Sequence, residues 1–397
     1  MKALLRINLW LGLCAVMAFV FNGCGGGGSN SSPILGPQVS FSSQQSVIMS
    51  GNSTTLSWKV TDATHITITS TPSSNVSTND SMEGTASVSP TVTTIYTLTA
   101  TNSGGQTTTA RVTVVVVESG KIAYVSSNSG PDQTQLYIMD SDGKNARVLS
   151  TAGYGVSDPS ISPDGTKVAF VSTRNGNKDI YVASTDGSGQ AQQITSNSAD
   201  DTQPTWSYDG SQLAWTRVAH DASPNTIVIG SSDGTSEQEL ISDACNPSWS
   251  PTENKLAYTT KQSGKETILS YDLDQIGNNI TQIASLADDT ISIDRLSWSR
   301  NGQIVYGCYD STLATPVGDI YVVNVADGTV TPLIVNSADD GGPSWSPSGN
   351  QLVFYTNRDG NYELYVANAD GTHQTRLTNN TTDEGLPCWS RLLHRSK

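Results

Sequence analysis

Pro159-Ser-Ile-Ser-Pro-Asp-Gly165 is the stretch on which the fold turns, because the chain repeats it. It returns as Pro204-Thr-Trp-Ser-Tyr-Asp-Gly210, Pro247-Ser-Trp-Ser-Pro251, Leu296-Ser-Trp-Ser-Arg-Asn-Gly302 and Pro343-Ser-Trp-Ser-Pro-Ser-Gly349, and once more, cut short, as Pro387-Cys-Trp-Ser390. The third residues of the phrase are Ile161, Trp206, Trp249, Trp298, Trp345 and Trp389, spaced 43 to 49 residues apart. A period of that length marks an array of identical units, and four strands fit it in a propeller blade.

Each phrase is followed by apolar runs such as Val168-Ala-Phe-Val-Ser172 and Asp179-Ile-Tyr-Val182, then by a weaker one such as Gln193-Ile-Thr195. β-branched and aromatic residues punctuated by Asp-Gly and Asn-Gly read as strands joined by tight hairpins. No helical periodicity longer than two turns follows the leader. The first unit, from Ile122, lacks the opening phrase, and the last phrase stands alone. The C-terminal segment is therefore expected to supply the innermost strand of the first blade, which removes the exposed edges of an open array. The fold class predicted is all-β: an immunoglobulin-like sandwich followed by a six-bladed propeller over residues 119–391, closed by the C-terminal strand.

On these residues the repeat resembles that of TolB-like six-bladed propellers, with the fullest copies at Pro159 to Thr195 and Pro343 to Thr378. The resemblance covers roughly residues 120 to 390. It implies a channel mouth at which a partner protein docks. TolB proteins carry an α/β domain before the propeller, whereas a sandwich is expected here, so their envelope-complex role does not carry over with the fold. Fold alone leaves function to be argued from a site.

Upstream, Lys2 and Arg6 precede an apolar stretch from Ile7 to Phe21, too short to span a bilayer comfortably and of secretory-signal type. Gly23-Cys24 before a glycine run resembles a lipoprotein lipobox, with Phe21 and Asn22 departing from its usual residues. This implies residues 1–23 as signal, lipidation at Cys24 and, with Gly25 next, an exported protein lipid-anchored to the bacterial outer membrane. The alternative is a plain secretory signal. Residues 24–36 read as a flexible tether, and 392–397 as a basic tail. Between tether and propeller, residues 37–118 carry short alternating runs such as Leu56-Ser-Trp-Lys-Val60 and Ile95-Tyr-Thr-Leu-Thr-Ala100, with a hairpin turn at Ser103-Gly-Gly105. They predict a sandwich resembling bacterial immunoglobulin-like domains, with Tyr96 as a candidate tyrosine-corner residue.

Net charge is −15, and residues 119 to 390 hold 32 acidic against 14 basic side chains. That excludes nucleic acid, whose phosphates need a basic face, and anionic lipid as a surface partner, leaving the membrane reached through the anchor only. Strand direction alternates within a blade, so the loops entering the phrase strands share one face with the loops after the second strands. The entry loops are acidic throughout: Asp158, Asp200, Asp201, Asp243, Asp288, Asp289, Asp339, Asp340, Asp383 and Glu384. Arg174 and Arg358 belong to the same face. These residues form the candidate site, an acidic mouth for a protein or peptide with basic segments. The competing reading is that each acid caps its loop. No cofactor is expected, although a Ca²⁺ at the mouth would suit the same carboxylates.

Enzyme readings are weaker. Gly230-Ser-Ser-Asp-Gly234 has a nucleophile-elbow pattern but aligns with hairpin turns in neighbouring copies, and the four histidines lack metal-ligand spacing. Prolyl-peptidase families carry a similar propeller together with a hydrolase domain. Cys245, Cys308 and Cys388 show no metal spacing, and a Cys245–Cys308 disulfide stands against free buried thiols. The expectation is a non-catalytic envelope scaffold, the alternative an envelope enzyme acting on peptide or polysaccharide in the channel.

Overall fold

The computed structural model describes residues 36–73, 76–78, 80–127, 133–149, 155–219, 223–276, 279–286, 290–314 and 317–391. The expected leader, Cys24, the tether up to residue 35, Asp288, Asp289 and the basic tail lie outside the described residues. Among those described there is no α-helix.

The N-terminal strands alternate buried and exposed residues because one face of each must cover a core. In Thr54–Thr61 the buried positions are Thr54, Leu56, Trp58 and Val60. Gln38–Ser43, Thr54–Thr61 and Glu83–Val88 make one sheet; Val47–Met49, Thr107–Val117, Thr94–Thr101 and His65–Thr71 make the other. Leu56, Trp58, Ile66, Tyr96, Leu98 and Val114 fill the space between. Trp58 Nε1 donates to the Ser81 carbonyl at 2.8 Å, which satisfies the one polar atom of that buried ring.

Six four-stranded antiparallel sheets follow. Their innermost strands are Asp383–Arg391 (blade 1), Val156–Ile161 (blade 2), Asp200–Trp206 (blade 3), Cys245–Trp249 (blade 4), Ile291–Trp298 (blade 5) and Asp340–Trp345 (blade 6). Asp383–Arg391 pairs with Gly120–Ser127, placing Trp389 opposite Ile122 and Ser390 opposite Lys121. The ring is closed by the last strand, as the unit count predicts. Trp389 packs with Ile122, Tyr124, Val353 and Leu364 in a cluster that joins blades 6 and 1.

The phrase itself is explained by these contacts. Every innermost strand carries a one-residue bulge just before its proline or, in blade 5, before Leu296. Asp158, Gln203, Asn246, Gly342 and Leu386 take positive φ there, and a bulge re-aims the following side chain. The residue before each tryptophan then stitches one blade to the next. Thr205 Oγ1 accepts the Trp249 N–H, Ser248 Oγ that of Trp298, Ser297 Oγ that of Trp345 and Ser344 Oγ that of Trp389, at 3.1 to 3.4 Å. The serine after each tryptophan holds the turn: Ser207 Oγ accepts from the Gln212 N–H and donates to Asp209.

The two domains are docked. Val115 and Val117, ending the strand Thr107–Val117, join the Trp389 cluster. Gln351 Nε2 donates to the Val116 carbonyl at 3.0 Å and its Oε1 accepts the Glu118 N–H at 2.7 Å. Glu118 in turn accepts the Ser348 N–H and hydroxyl, and Lys144 Nζ reaches Gln45 Oε1 at 3.0 Å. Ser348 and Lys144 sit in turns on one face of the ring, so the sandwich lies against that face, beside blades 6 and 1.

Candidate functional site

Antiparallel blades put the strand-entry loops on the face away from these turns, and there the acidic residues divide into two kinds. The first acid of each pair caps the preceding blade. Asp200 accepts the Lys178 N–H at 2.9 Å, Asp339 the Gly318 N–H at 2.6 Å and Asp383 the Tyr362 N–H at 3.0 Å. Asp339 also accepts from the Tyr362 hydroxyl at 2.5 Å, and with burial as the larger cause this pushes the Tyr362 phenol up to about 12. The second acid is buried: Asp201 and Asp340 are 0% exposed and Glu384 2%. An asparagine four residues earlier donates to each, from Asn197, Asn336 and Asn380. Arg217 forks onto Asp201 at 2.9 and 3.1 Å, and Arg358 Nη2 reaches Asp340 at 3.0 Å.

These buried carboxylates therefore lock blade seams and present no charge to a partner. Asp200, Asp243, Asp339 and Asp383 remain at least partly exposed on the face, and Asp158, inside the strand Val156–Ile161, is half-buried lower in the same mouth. Asp158 accepts its neighbour's Ser157 hydroxyl at 2.8 Å. Arg174 and Arg358 lie on the same face, each laid over its blade's aromatic pair: Arg174 is 4.2 Å from the Tyr181 ring and Arg358 is 4.8 Å from that of Tyr365. Such cation–π packing fixes the guanidinium in place. Burial lowers the Arg174 pKa, partly offset by Tyr181.

A second layer was not read from the sequence. Three residues before the third position of each phrase stand Asp158, Gln203, Asn246, Arg295, Gly342 and Leu386, one from each blade, at one level of the axis. The bulges turn three of them into a plug. Arg295 Nη2 donates at 2.8 Å to the carbonyl of Pro159, in the blade diametrically opposite. Gln203 Nε2 donates to Asn246 Oδ1 and, at 3.4 Å, to the Asp294 carbonyl, while Asn246 Nδ2 donates to the Ile293 carbonyl at 3.1 Å. Blade 5 alone lacks the proline at this step and carries the arginine. That irregularity in the phrase was the available signal.

Asp294 lies behind the plug. Burial pushes its carboxyl up to about 6, against the Gly342 N–H and the Arg295 charge, and its Oδ1 accepts no hydrogen bond. The absence of a side chain at Gly307 makes room for it, since a Cβ there would meet Oδ1 at 2.5 Å.

On the turn side of the plug the channel opens as a cavity of about 430 Å³. Its wall is the phrase itself: Trp206, Trp249 and Trp345 with their flanking serines and prolines, and Arg295 at the inner end. Tyr208 and Arg300 stand at the rim.

The remaining candidates resolve simply. Cys245, Cys308 and Cys388 are free thiols, so the disulfide alternative is not formed. Gly230–Gly234 is a hairpin turn closed by Gly234 N–H to the Ser231 carbonyl at 3.0 Å. Among the described residues no cluster of three or more His, Cys, Asp or Glu side chains is arranged to hold a metal ion.

Comparison with known proteins bears on the same region. The family model described as the TolB beta propeller domain matches residues 115–313 and 226–392. The chain is 25% identical over 215 residues to the uncharacterized peptidase YuxL of Bacillus subtilis, a match covering 52% of this chain and 30% of that protein. It is 28% identical over 161 residues to a TolB homolog of Chlorobaculum tepidum, covering 36% of this chain and 37% of that protein. The matched segments thus span about a third of these curated relatives. Among solved structures, TolB from Acinetobacter baumannii superposes with a TM-score of 0.58 at 19% identity, covering 75% of this chain and 79% of that one.

Proposed function

The chain belongs to the TolB β-propeller domain family, and from that premise we propose that it is a non-catalytic scaffold of the bacterial cell envelope. It takes a protein or peptide partner on the acidic face of the propeller. The observation that carries this reading is the placement of the two domains. The sandwich docks on the turn face through Gln351 and Ser348, so the face bearing Asp158, Asp200, Asp243, Asp339 and Asp383 points away from it. A stalk that holds one face and presents the other suits a display role. The exposed acids favour a partner with basic segments, chiefly by steering encounter. Export with lipidation at Cys24, and so anchoring at the outer membrane, belongs to the same proposal. A Ca²⁺ held among the exposed acids is the only ion the reading admits.

The test is photocrosslinking from the acidic face in whole cells, comparing wild type with Asp158→Asn/Asp200→Asn/Asp243→Asn. Asparagine keeps an oxygen to cap the loop but removes the charge. Loss of a crosslinked protein supports the reading; an unchanged set removes it. Membrane retention of Cys24→Ser would argue against acylation.

A further inference from the structure

The cavity on the turn face is independent of the acidic rim and does not rest on the reading above. It is a blind pocket, shut at its inner end by Arg295, Gln203 and Asn246 and open between the hairpin turns. None of its lining comes from the described residues of the sandwich.

Arg295 is the only charged side chain deep in this lining; the other charged members, Asp164, Asp209 and Arg300, belong to the rim. A guanidinium carries five N–H donors, yet among the described residues the Arg295 side chain makes one hydrogen bond, from Nη2 to the Pro159 carbonyl, and Nη1 finds no partner. A half-buried cation with more donors than acceptors is an arrangement that calls for an explanation. The neighbouring Asp294 carboxyl, behind the plug, supplies the charge but no acceptor for the side chain. The rim acids do not supply one, because their oxygens are taken locally. Asp164 accepts from Ser162 and from the Thr166 N–H and hydroxyl; Asp209 accepts from Ser207 and Ser211.

We infer that this pocket receives the free C-terminal carboxylate of a peptide, with Arg295 as its anchor. A planar guanidinium matches a carboxylate in shape and charge. One cation in a strongly acidic protein suits a monoanion rather than a phosphate dianion. The lining residues are chiefly tryptophan, proline and serine, with Trp298 the half-buried one among the indoles, and they offer a peptide apolar and polar surface together. A volume of about 430 Å³ lies at the small end of ligand pockets and admits a chain end of a few residues, not a folded domain. Capture of a terminal carboxylate is a recurring mode of peptide recognition.

The experiment is a titration of the intact protein, followed by tryptophan fluorescence and calorimetry, with N-acetylated tripeptides as free acids and as C-terminal amides. Free acids are expected to bind saturably and amides about tenfold more weakly or worse, with acetate alone competing poorly. Arg295→Gln should abolish the acid-over-amide preference, and Arg295→Lys should keep part of it. Equal binding of acids and amides overturns the inference, as does the absence of saturable binding by any free acid. Acetate competing as well as the peptides would replace the peptide with a small free acid. The acid–amide comparison is made on the wild type, so it holds even where Arg295→Gln fails to fold.

Discussion

The thiol of Cys388 accepts the backbone N–H of Ile161 at 3.3 Å. In blades 3 to 6 a serine or threonine hydroxyl performs this stitch, so a cysteine at this position of the closing strand has taken over a hydroxyl's role at the last seam of the ring. Burial raises its pKa, which keeps it a neutral thiol and a poor nucleophile.

Cys388→Ser is therefore expected to leave stability unchanged or raise it slightly, since a hydroxyl is the better acceptor. Cys388→Ala leaves the Ile161 N–H unpaired and should cost about 1–3 kcal/mol. Urea unfolding of the two variants checks the pair. Equal losses would mean that packing, not the hydrogen bond, governs the position.

The two kinds of acid predict opposite costs. Asp201→Ala strips a buried carboxylate from Arg217 and Asn197, and should destabilise by roughly 3–5 kcal/mol, as for a broken buried pair. Asp200→Ala removes one cap to the Lys178 N–H and should cost about 1 kcal/mol. Similar losses at both positions would contradict the division of the acidic face into locks and exposed caps.

Asp294 gives a pH signature. Its folded pKa, about 6, lies above the ordinary aspartate value of about 3.9. The stability that Asp294 contributes is therefore fully present below about pH 4 and is lost as pH rises through 6. A shift of about two units corresponds to roughly 3 kcal/mol. Asp294→Asn does not titrate, so its stability relative to wild type should rise by about that amount between pH 4 and pH 7.5, measured by urea unfolding at each pH. A pH-independent difference would show that the carboxyl is not held out of water.

A related seam lies between Glu363, 0% exposed, and Glu384, 2% exposed, two buried carboxyl groups that act on each other and that each keep one oxygen without a hydrogen-bond partner among the described residues. Burial raises the Glu384 pKa, and the Glu363 carboxyl adds to it. Despite its own burial Glu363 is held low, by donors that include Thr378, the Asn380 N–H and Arg376. Stability from a protonated Glu384 is fully present below the ordinary glutamate pKa and is lost as pH rises through the raised value. Glu384→Gln keeps a donor toward Glu363 at every pH and should flatten that loss in thermal unfolding scans. An unaltered pH profile would count against the shared proton.

Trp389→Ala tests closure itself. Truncating a buried tryptophan costs roughly 3–5 kcal/mol, and this one lies where blades 6 and 1 and the sandwich meet. Limited proteolysis should then begin near the C-terminal strand. Cleavage starting elsewhere would place the weakest seam away from the ring closure.

The sequence by itself determined the repeat, the strands and turns of each blade, the closure by Pro387 to Ser390 and the face on which the acids gather. All of these follow from local pattern and from counting units. Tertiary structure alone decided that Asp201, Asp340 and Glu384 are withdrawn into the seams while Asp200, Asp339 and Asp383 stay at the surface. Adjacent acids look alike in sequence, and their exposure is set by asparagines of the preceding blade and, at Asp201 and Asp340, by an arginine of the same blade. It also decided that Arg295 spans the axis to Pro159, 136 residues away. No periodicity encodes a contact across the ring; it arises because six bulged strands converge on one axis and the blade without the proline aims an arginine into the space they leave.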